Sequence, residues 1–227
     1  MIGVFDSGEG GAAAIDEIKR LCPDADIIFH ADKENAPYGT KTKSELIRLV
    51  KRDIKILLDA GAEKILMACC TASTVYPMLS EKEKKICLPI IAPTATAAAM
   101  ATKTNRIGII STAATHKSGA FERAVLDINP NIKTKSVPLG ELVTLVEGGV
   151  GDNSHTARDV TKISNMLAPI NDFHPDVLIL GCTHFSRVWG IINKLLPNTE
   201  IIDSAKTAAL QIVKHENGGG TGKLIYI

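Results

Sequence analysis

One pattern runs the length of this 227-residue chain and constrains its fold more than any other. Short apolar runs, each closed by a small or turn-forming residue, alternate with longer stretches of helical periodicity. A strand covered on both faces reads as a continuous apolar run, and two parallel strands need a long crossover between them, so the alternation predicts β-α units on parallel sheets. The runs fall at Ile2–Phe5, Asp26–Ala31, Lys64–Ala68, Ile90–Ala92, Arg106–Ser111, Lys133–Pro138, Asp176–Leu180 and Thr199–Ile202, with Lys223–Ile227 as a possible edge strand. Between them, Thr42–Ala60 carries Leu46, Leu49, Val50, Ile54, Leu57 and Leu58 at helical spacing with Lys and Arg opposite, the pattern of an amphipathic helix lying on a sheet. Its basic residues, like the Lys82–Lys85 run, read as a solvated face.

The chain divides into two similar halves. KILMACCTAS and VLILGCTHFS each run from an apolar strand through a small residue into Cys-Thr, about half a chain length apart. The Ala- and Thr-rich stretch Ile91–Thr104 reads as a crossover into a second domain, and a return is expected near Asp203. The expected organisation is α/β, with two pseudo-symmetric doubly wound parallel-sheet domains: residues 1–93 plus 204–227, and residues 94–203. Asn217–Gly222 (NGGGTG) is flexible in composition. Ligands of open parallel sheets bind at the carboxyl ends of strands, so the site is expected in the cleft between the domains, with a cysteine on each wall.

Composition excludes several function classes. Lys+Arg 26 against Asp+Glu 25 gives a net charge of +1, which supplies no field toward nucleic acid or an anionic membrane. The apolar runs are far shorter than the roughly 20 residues that span a bilayer, and the start MIGVFDSGEGG lacks a signal peptide's basic end, so a cytoplasmic protein is expected. Five cysteines, Cys22, Cys69, Cys70, Cys87 and Cys182, form no C-x-x-C pair, so neither a zinc site nor a disulfide framework is expected.

What remains is thiol chemistry. Cys22 and Cys87 read as small buried hydrophobes. Cys69 and Cys182 directly follow strands at helix starts, positions that lower a thiol pKa and favour a nucleophile or base. His184 stands two residues beyond Cys182 and can turn its imidazole back toward the thiol. Asp6 and Ser7 end the first strand, where Gly8, Gly10 and Gly11 permit close approach of a ligand without matching a phosphate-loop pattern.

Five motifs in order carry a family resemblance: Phe5-Asp6-Ser7-Gly8-x-Gly10-Gly11, Asn35-Ala36-Pro37-Tyr38-Gly39, Ala68-Cys69-x-Thr71-Ala72-Ser73, Leu145-Val146-Glu147 and Leu180-Gly181-Cys182-Thr183-His184. From Ile2 to about Ile212 the chain resembles the cofactor-independent aspartate/glutamate racemases, nearest to the glutamate racemases. The resemblance implies inversion at Cα without cofactor or metal, by two opposed thiols that exchange roles with direction. Cys69 would serve the D-isomer and Cys182 the L-isomer, with Asp6 and His184 as their partners and Glu147 as a further carboxylate on the second side. Ser7, Pro37, Tyr38, Gly39, Thr71 and Thr183 match substrate-binding positions, Thr40 stands where serine is usual, and Thr115 corresponds to a family threonine. It further implies D-glutamate supply for peptidoglycan and a homodimer, with no nucleic-acid or membrane partner.

The chain departs from the family at Cys70, where an asparagine amide would donate to the substrate, and a thiol is a much weaker donor. The internal repeat aligns Cys70-Thr71 with Cys182-Thr183, whereas the family motif selects Cys69. The chain also lacks most of the family's C-terminal segment. A racemase for aspartate or another amino acid, or a non-catalytic binding protein on the same fold, are the alternatives.

Overall fold

The computed structural model describes residues 1–214 and 220–227. Its strands are β1 (Ile2–Asp6), β2 (Ile27–Ala31), β3 (Lys64–Met67), β4 (Cys87–Pro89), β5 (Arg106–Ser111), β6 (Lys133–Pro138), β7 (Val177–Gly181), β8 (Glu200–Asp203) and β9 (Leu224–Tyr226). They form two sheets, ordered β4-β3-β1-β2-β9 and β6-β5-β7-β8, and every pairing within them is parallel. The fold is thus two parallel-sheet α/β domains. The helices are α1 (Ala12–Leu21), α2 (Lys43–Asp59), α3 (Cys70–Ser73), α4 (Glu81–Ile86), α5 (Ile91–Ala101), α6 (Ala113–Ser118), α7 (Ala120–Ile128), α8 (Gly140–Glu147), α9 (Ala157–Asn171), α10 (Trp189–Leu195) and α11 (Ser204–Val213).

The central strands β1 and β7 are buried along their whole length, as their apolar runs Ile2–Phe5 and Val177–Leu180 require. α2 begins at a reciprocal cap between Thr42 and Glu45, a device worth about 1 kcal/mol. It buries Leu46, Leu49, Val50, Ile54 and Leu57 against the first sheet; Leu58, expected on that face, is instead exposed. One apolar cluster joins the two sheets, running from Val4 and Leu66 through α5 and α11 to Ile109 and Ile179. Ala95, Ala98, Ala205, Ala208 and Ala209 face into it, and side chains this small let α5 and α11 pack closely between the sheets.

That packing corrects one strand. Ile90–Ala92 is not extended: β4 is Cys87–Pro89, paired with Ile65, Leu66 and Met67, and α5 starts at Ile91. The apolar run continues past the strand because the helix that follows is itself buried. Pro93 lies in the first turn of α5, where its missing N–H forfeits no helical bond. Arg106–Ser111 and Lys133–Pro138 match the expected bounds, and the remaining strands depart from them by one residue at one or both ends. Part of the Asn217–Gly222 stretch, residues 217–219, lies outside the described residues. β9, beyond it, pairs with β2, so the chain begins and ends in the first sheet.

Candidate active site

In each sheet the chain reverses its direction of strand addition beside its first strand. β2 is added on one side of β1 and β3 on the other; β6 and β7 do the same around β5. At such a reversal the connections leave in opposite directions and open a crevice at the carboxyl ends of the two central strands. Ser7 and Cys69 stand beyond β1 and β3, while Thr112 and Cys182 stand beyond β5 and β7. Ser7, Cys69, Thr112 and Cys182 all line one cavity of about 230 Å³, so the two crevices open onto the same space.

Cys69 is the N-cap residue of α3, with its sulfur 3.5 Å from the Ala72 N–H and its thiol donating to Ser7 Oγ at 3.5 Å. Cys182 holds the N-cap position of the 3-10 turn Thr183–Val188, without a side-chain cap bond. The cap position therefore pairs Cys69 with Cys182, whatever the alignment of the Cys-Thr dipeptides. Cys70 lies inside α3 with its sulfur 3.4 Å from Ser204 Oγ, although part of it reaches the cavity wall.

His184 bridges two groups. Its Nδ1 is 3.7 Å from Cys182 Sγ and its Nε2 is 3.4 Å from Glu147 Oε1, at the end of α8. Asp6 is placed differently from a simple partner of Cys69. Fully buried, it accepts the Gly8 N–H at 3.0 Å and the Thr183 hydroxyl at 3.1 Å, so it ties the first sheet to the loop bearing Cys182. Gly10 passes so close beneath that loop that a Cβ there would collide with the Thr183 hydroxyl. The turn needs glycine for space.

Of the expected substrate-binding residues, Ser7, Pro37, Tyr38, Gly39, Thr40, Cys70, Thr71 and Thr183 all reach the cavity, and Thr115 does not. Thr115 is buried one layer back, in a triangle of hydroxyls with Thr71 at 3.1 Å and Thr112 at 3.0 Å; Thr71 and Thr112 are 2.9 Å apart. Thr112, which the sequence does not single out, faces the cavity from the α6 segment together with Ala113. Its signal was a hydroxyl at the end of β5 capping a helix, which is also what an ordinary N-cap looks like. Gly140, Val143 and Thr144 of α8 complete that wall.

The electrostatics overturn one expectation. Position at a helix start does not lower the thiol pKa values: burial pushes Cys69 up to about 11, with the nearby Asp6 carboxylate adding to the rise, and burial raises Cys182 as well. α3 is a single turn offering one long N–H contact, so loss of water outweighs it. Burial likewise raises Asp6, and proximity to His184 partly offsets this. Burial thus favours the neutral thiol on both walls.

Among the described residues, one group of side chains has the spacing to hold a cation: His30, Asp32 and Asp53, with ligand atoms within 4.8 Å of one another. Arg52 already fills that place, its Nη2 lying 2.5 Å from Asp32 and 2.8 Å from Asp53.

Residues 9–212 match the sequence model of the Asp/Glu/hydantoin racemases. The chain belongs to this family. A glutamate racemase of Persephonella marina is 36% identical over 227 residues, covering 98% of this chain and 86% of the relative. The crystal structure of a glutamate racemase isoform from Bacillus anthracis superposes with a TM-score of 0.88 at 30% identity, covering all of this chain and 86% of that one. The glutamate racemase of Francisella tularensis, solved with D-glutamate, gives a TM-score of 0.88 at 28% identity over 99% of this chain and 86% of that one. Membership makes the protein an isomerase, an amino-acid racemase. No helix among the described residues is long and apolar enough to cross a membrane.

Proposed function

We propose that the protein interconverts L- and D-glutamate without a cofactor, by proton transfer between two thiols. The observation that carries the reading is that Cys69 and Cys182, at the N-cap positions of equivalent turns on separate sheets, line one cavity. The glutamate racemases at 30–36% identity, and the D-glutamate found in the Francisella relative, favour glutamate as substrate.

In the D-to-L direction Cys69, as thiolate, takes the Cα proton from one face, and the electron pair left on Cα is delocalised into the α-carboxylate. Cys182, as thiol, gives its proton to the opposite face. The thiols have then exchanged protonation states; exchange of protons with water, or turnover in the L-to-D direction, restores them. Ser7 beside Cys69, and His184 with Glu147 beside Cys182, are assigned to proton management at the two walls, with Asp6 acting on the first wall through its charge. Ser7, the Pro37–Thr40 segment, Cys70, Thr71 and Thr183 are assigned to the substrate, Thr115 to holding Thr71 and Thr112 in place.

Incubation with L-glutamate, L-aspartate and other L-amino acids in D2O, following loss of the Cα proton by NMR, tests this. Exchange and inversion of glutamate support the reading; inversion of aspartate alone replaces it with the second one, which Cys70 motivates because a thiol stands where relatives carry a donating amide. Exchange of no amino acid leaves a binding protein on this fold.

The same reading gives the enzyme a cytoplasmic place in D-glutamate supply for peptidoglycan and makes it a homodimer, to be tested by light scattering. The domain limits 1–93 plus 204–227 and 94–203 belong to it too, supported by the division of strands between the sheets.

A further inference from the structure

Joined to the cavity wall through Tyr38 lies a buried polar cluster to which the two-thiol reaction gives no work. The segment Lys33–Lys41 crosses from β2 to α2 and supplies Pro37, Tyr38, Gly39 and Thr40 to the cavity. Within it Tyr38 is the one buried side chain, 1% exposed; its neighbours are exposed or half-buried. A segment that must hold a substrate group in place thus sends one ring into the protein interior.

That ring ends in an unusual contact. Tyr38 Oη lies 2.6 Å from Asp32 Oδ2 and 2.6 Å from Asp53 Oδ2, and both carboxylates are buried. A phenol has one proton and can donate to only one of them. Two oxygens of like partial charge at that distance repel unless a second proton or a strong positive field holds them, so the assembly depends on its cations. Arg52, from α2, lies 2.5 Å from Asp32 and 2.8 Å from Asp53. His30, from β2, stands 3.4 Å from the other oxygen of Asp53, and Asn35 donates to the second oxygen of Asp32 at 3.0 Å. β2, the segment and α2 therefore meet at the Tyr38 hydroxyl.

We propose that Asp32, Arg52 and Asp53 are positioning residues of the racemase: by clamping the Tyr38 hydroxyl they set the place of the Pro37–Thr40 backbone in the substrate cavity. The segment's far side has a matching stop, because Gly39 packs against Thr112, so a shift of Tyr38 is felt at the contact between the two halves of the site. The clamp acts on binding of the ground state and the transition state alike. Its loss should therefore raise KM and leave kcat nearly unchanged. The proposal rests on the cavity being the substrate site, and its test is built to fail separately from that reading.

Tyr38→Phe removes one oxygen and keeps the ring; Asp53→Asn keeps the shape and removes a charge. The first measurement needs no substrate: amide hydrogen exchange by mass spectrometry on wild type and both variants. Exchange should quicken about tenfold or more in the peptide covering residues 33–41, with peptides of the second sheet unchanged, since loss of a hydrogen bond to a charged group weakens a local structure by about that factor. The second is steady-state kinetics on whichever amino acid the wild type racemises: KM should rise about tenfold and kcat change less than threefold. Arg52→Lys, which keeps the charge and loses the fork, should fall between. Unchanged exchange at 33–41, a rise spread over the whole chain, or a loss confined to kcat would each overturn the clamp. A wild type that turns over no amino acid would overturn the substrate reading and leave the exchange measurement to decide the clamp alone.

Discussion

The two walls of the cavity carry the same reactive atom in unlike surroundings. Cys69 is held by a hydroxyl and a backbone N–H, with Asp6 near enough to raise its pKa and without a direct contact. Cys182 faces an imidazole whose far nitrogen meets a half-exposed carboxylate, Glu147. Both cysteines are 6% exposed, so burial alone does not distinguish them. What differs is the means of stabilising negative charge. The first wall offers fixed dipoles 3.5 Å away, and the second offers a group that can itself accept a proton. In the proposed reaction a pseudo-symmetric fold would thus serve two directions with unlike machinery.

Removing either thiol should have the largest effect and erase the comparison. Cys69→Ala and Cys182→Ala should each lower racemisation by at least ~10³-fold, since a proton cannot be both taken and returned on opposite faces by one group. The remaining thiol can still exchange the proton on its own face. In D2O, Cys182→Ala should wash deuterium into D-glutamate with retention, and Cys69→Ala into L-glutamate. Wild-type turnover in either variant would show that the thiols do not share the reaction.

The next largest effect sharpens the difference between the walls. His184→Asn should cost about 10²-fold, the lower range for loss of a proton-transfer group, and should raise the Cα deuterium isotope effect mainly when L-glutamate is the substrate. Asp6→Asn should act on the other side. With the carboxylate gone, burial still raises Cys69 but the added negative charge does not, so its pKa falls from about 11. The rate from D-glutamate needs the Cys69 thiolate and climbs with pH toward that value; in Asp6→Asn the climb should begin at lower pH. A profile that stays in place would mean that Asp6 serves Thr183 and the junction of the sheets alone.

These asymmetries were only partly legible in the sequence. Parallel sheets could be read because fully buried strands print unbroken apolar runs, and Cys69 and Cys182 stood out as reactive groups directly after such runs. The fourth strand was misplaced because Ile90-Ile91-Ala92 is apolar for another reason, a helix buried between two sheets. The thiol pKa values were expected to fall because a sequence shows a helix start but not the depth at which it lies. Asp6 looked like the neighbour of Cys69, yet its hydroxyl partner is Thr183, 177 residues away, and no local pattern records such a contact. Thr112 was passed over because a capping hydroxyl and a site hydroxyl have the same local sequence.

A smaller effect is expected at Cys70, on the wall of Cys69. Its sulfur rests against Ser204 and is a poor donor, so Cys70→Asn should lower KM for glutamate by about two- to tenfold, the range of one neutral hydrogen bond. Weaker glutamate binding, with a second amino acid turned over faster by the wild type, would move the substrate assignment to that amino acid.

The smallest effect belongs to Glu147. Its side chain is 56% exposed and 3.4 Å from His184, and an ion pair open to water contributes only about 0.2–1 kcal/mol, so Glu147→Gln should slow the reaction by about two- to fivefold. The size matters less than its dependence on salt. If Glu147 works by its charge, favouring the protonated imidazole as Cys182 gives up its proton, the difference between wild type and variant should shrink as ionic strength rises to 1 M, where screening acts over about 3 Å. Should it instead work by holding the ring toward the thiol, the glutamine amide oxygen can still accept the Nε2 proton, the defect should be slight at low salt, and added salt should not change it. A defect above tenfold that ignores salt would contradict both accounts and would place the Glu147 side chain against the substrate itself, on a wall of the cavity it already lines.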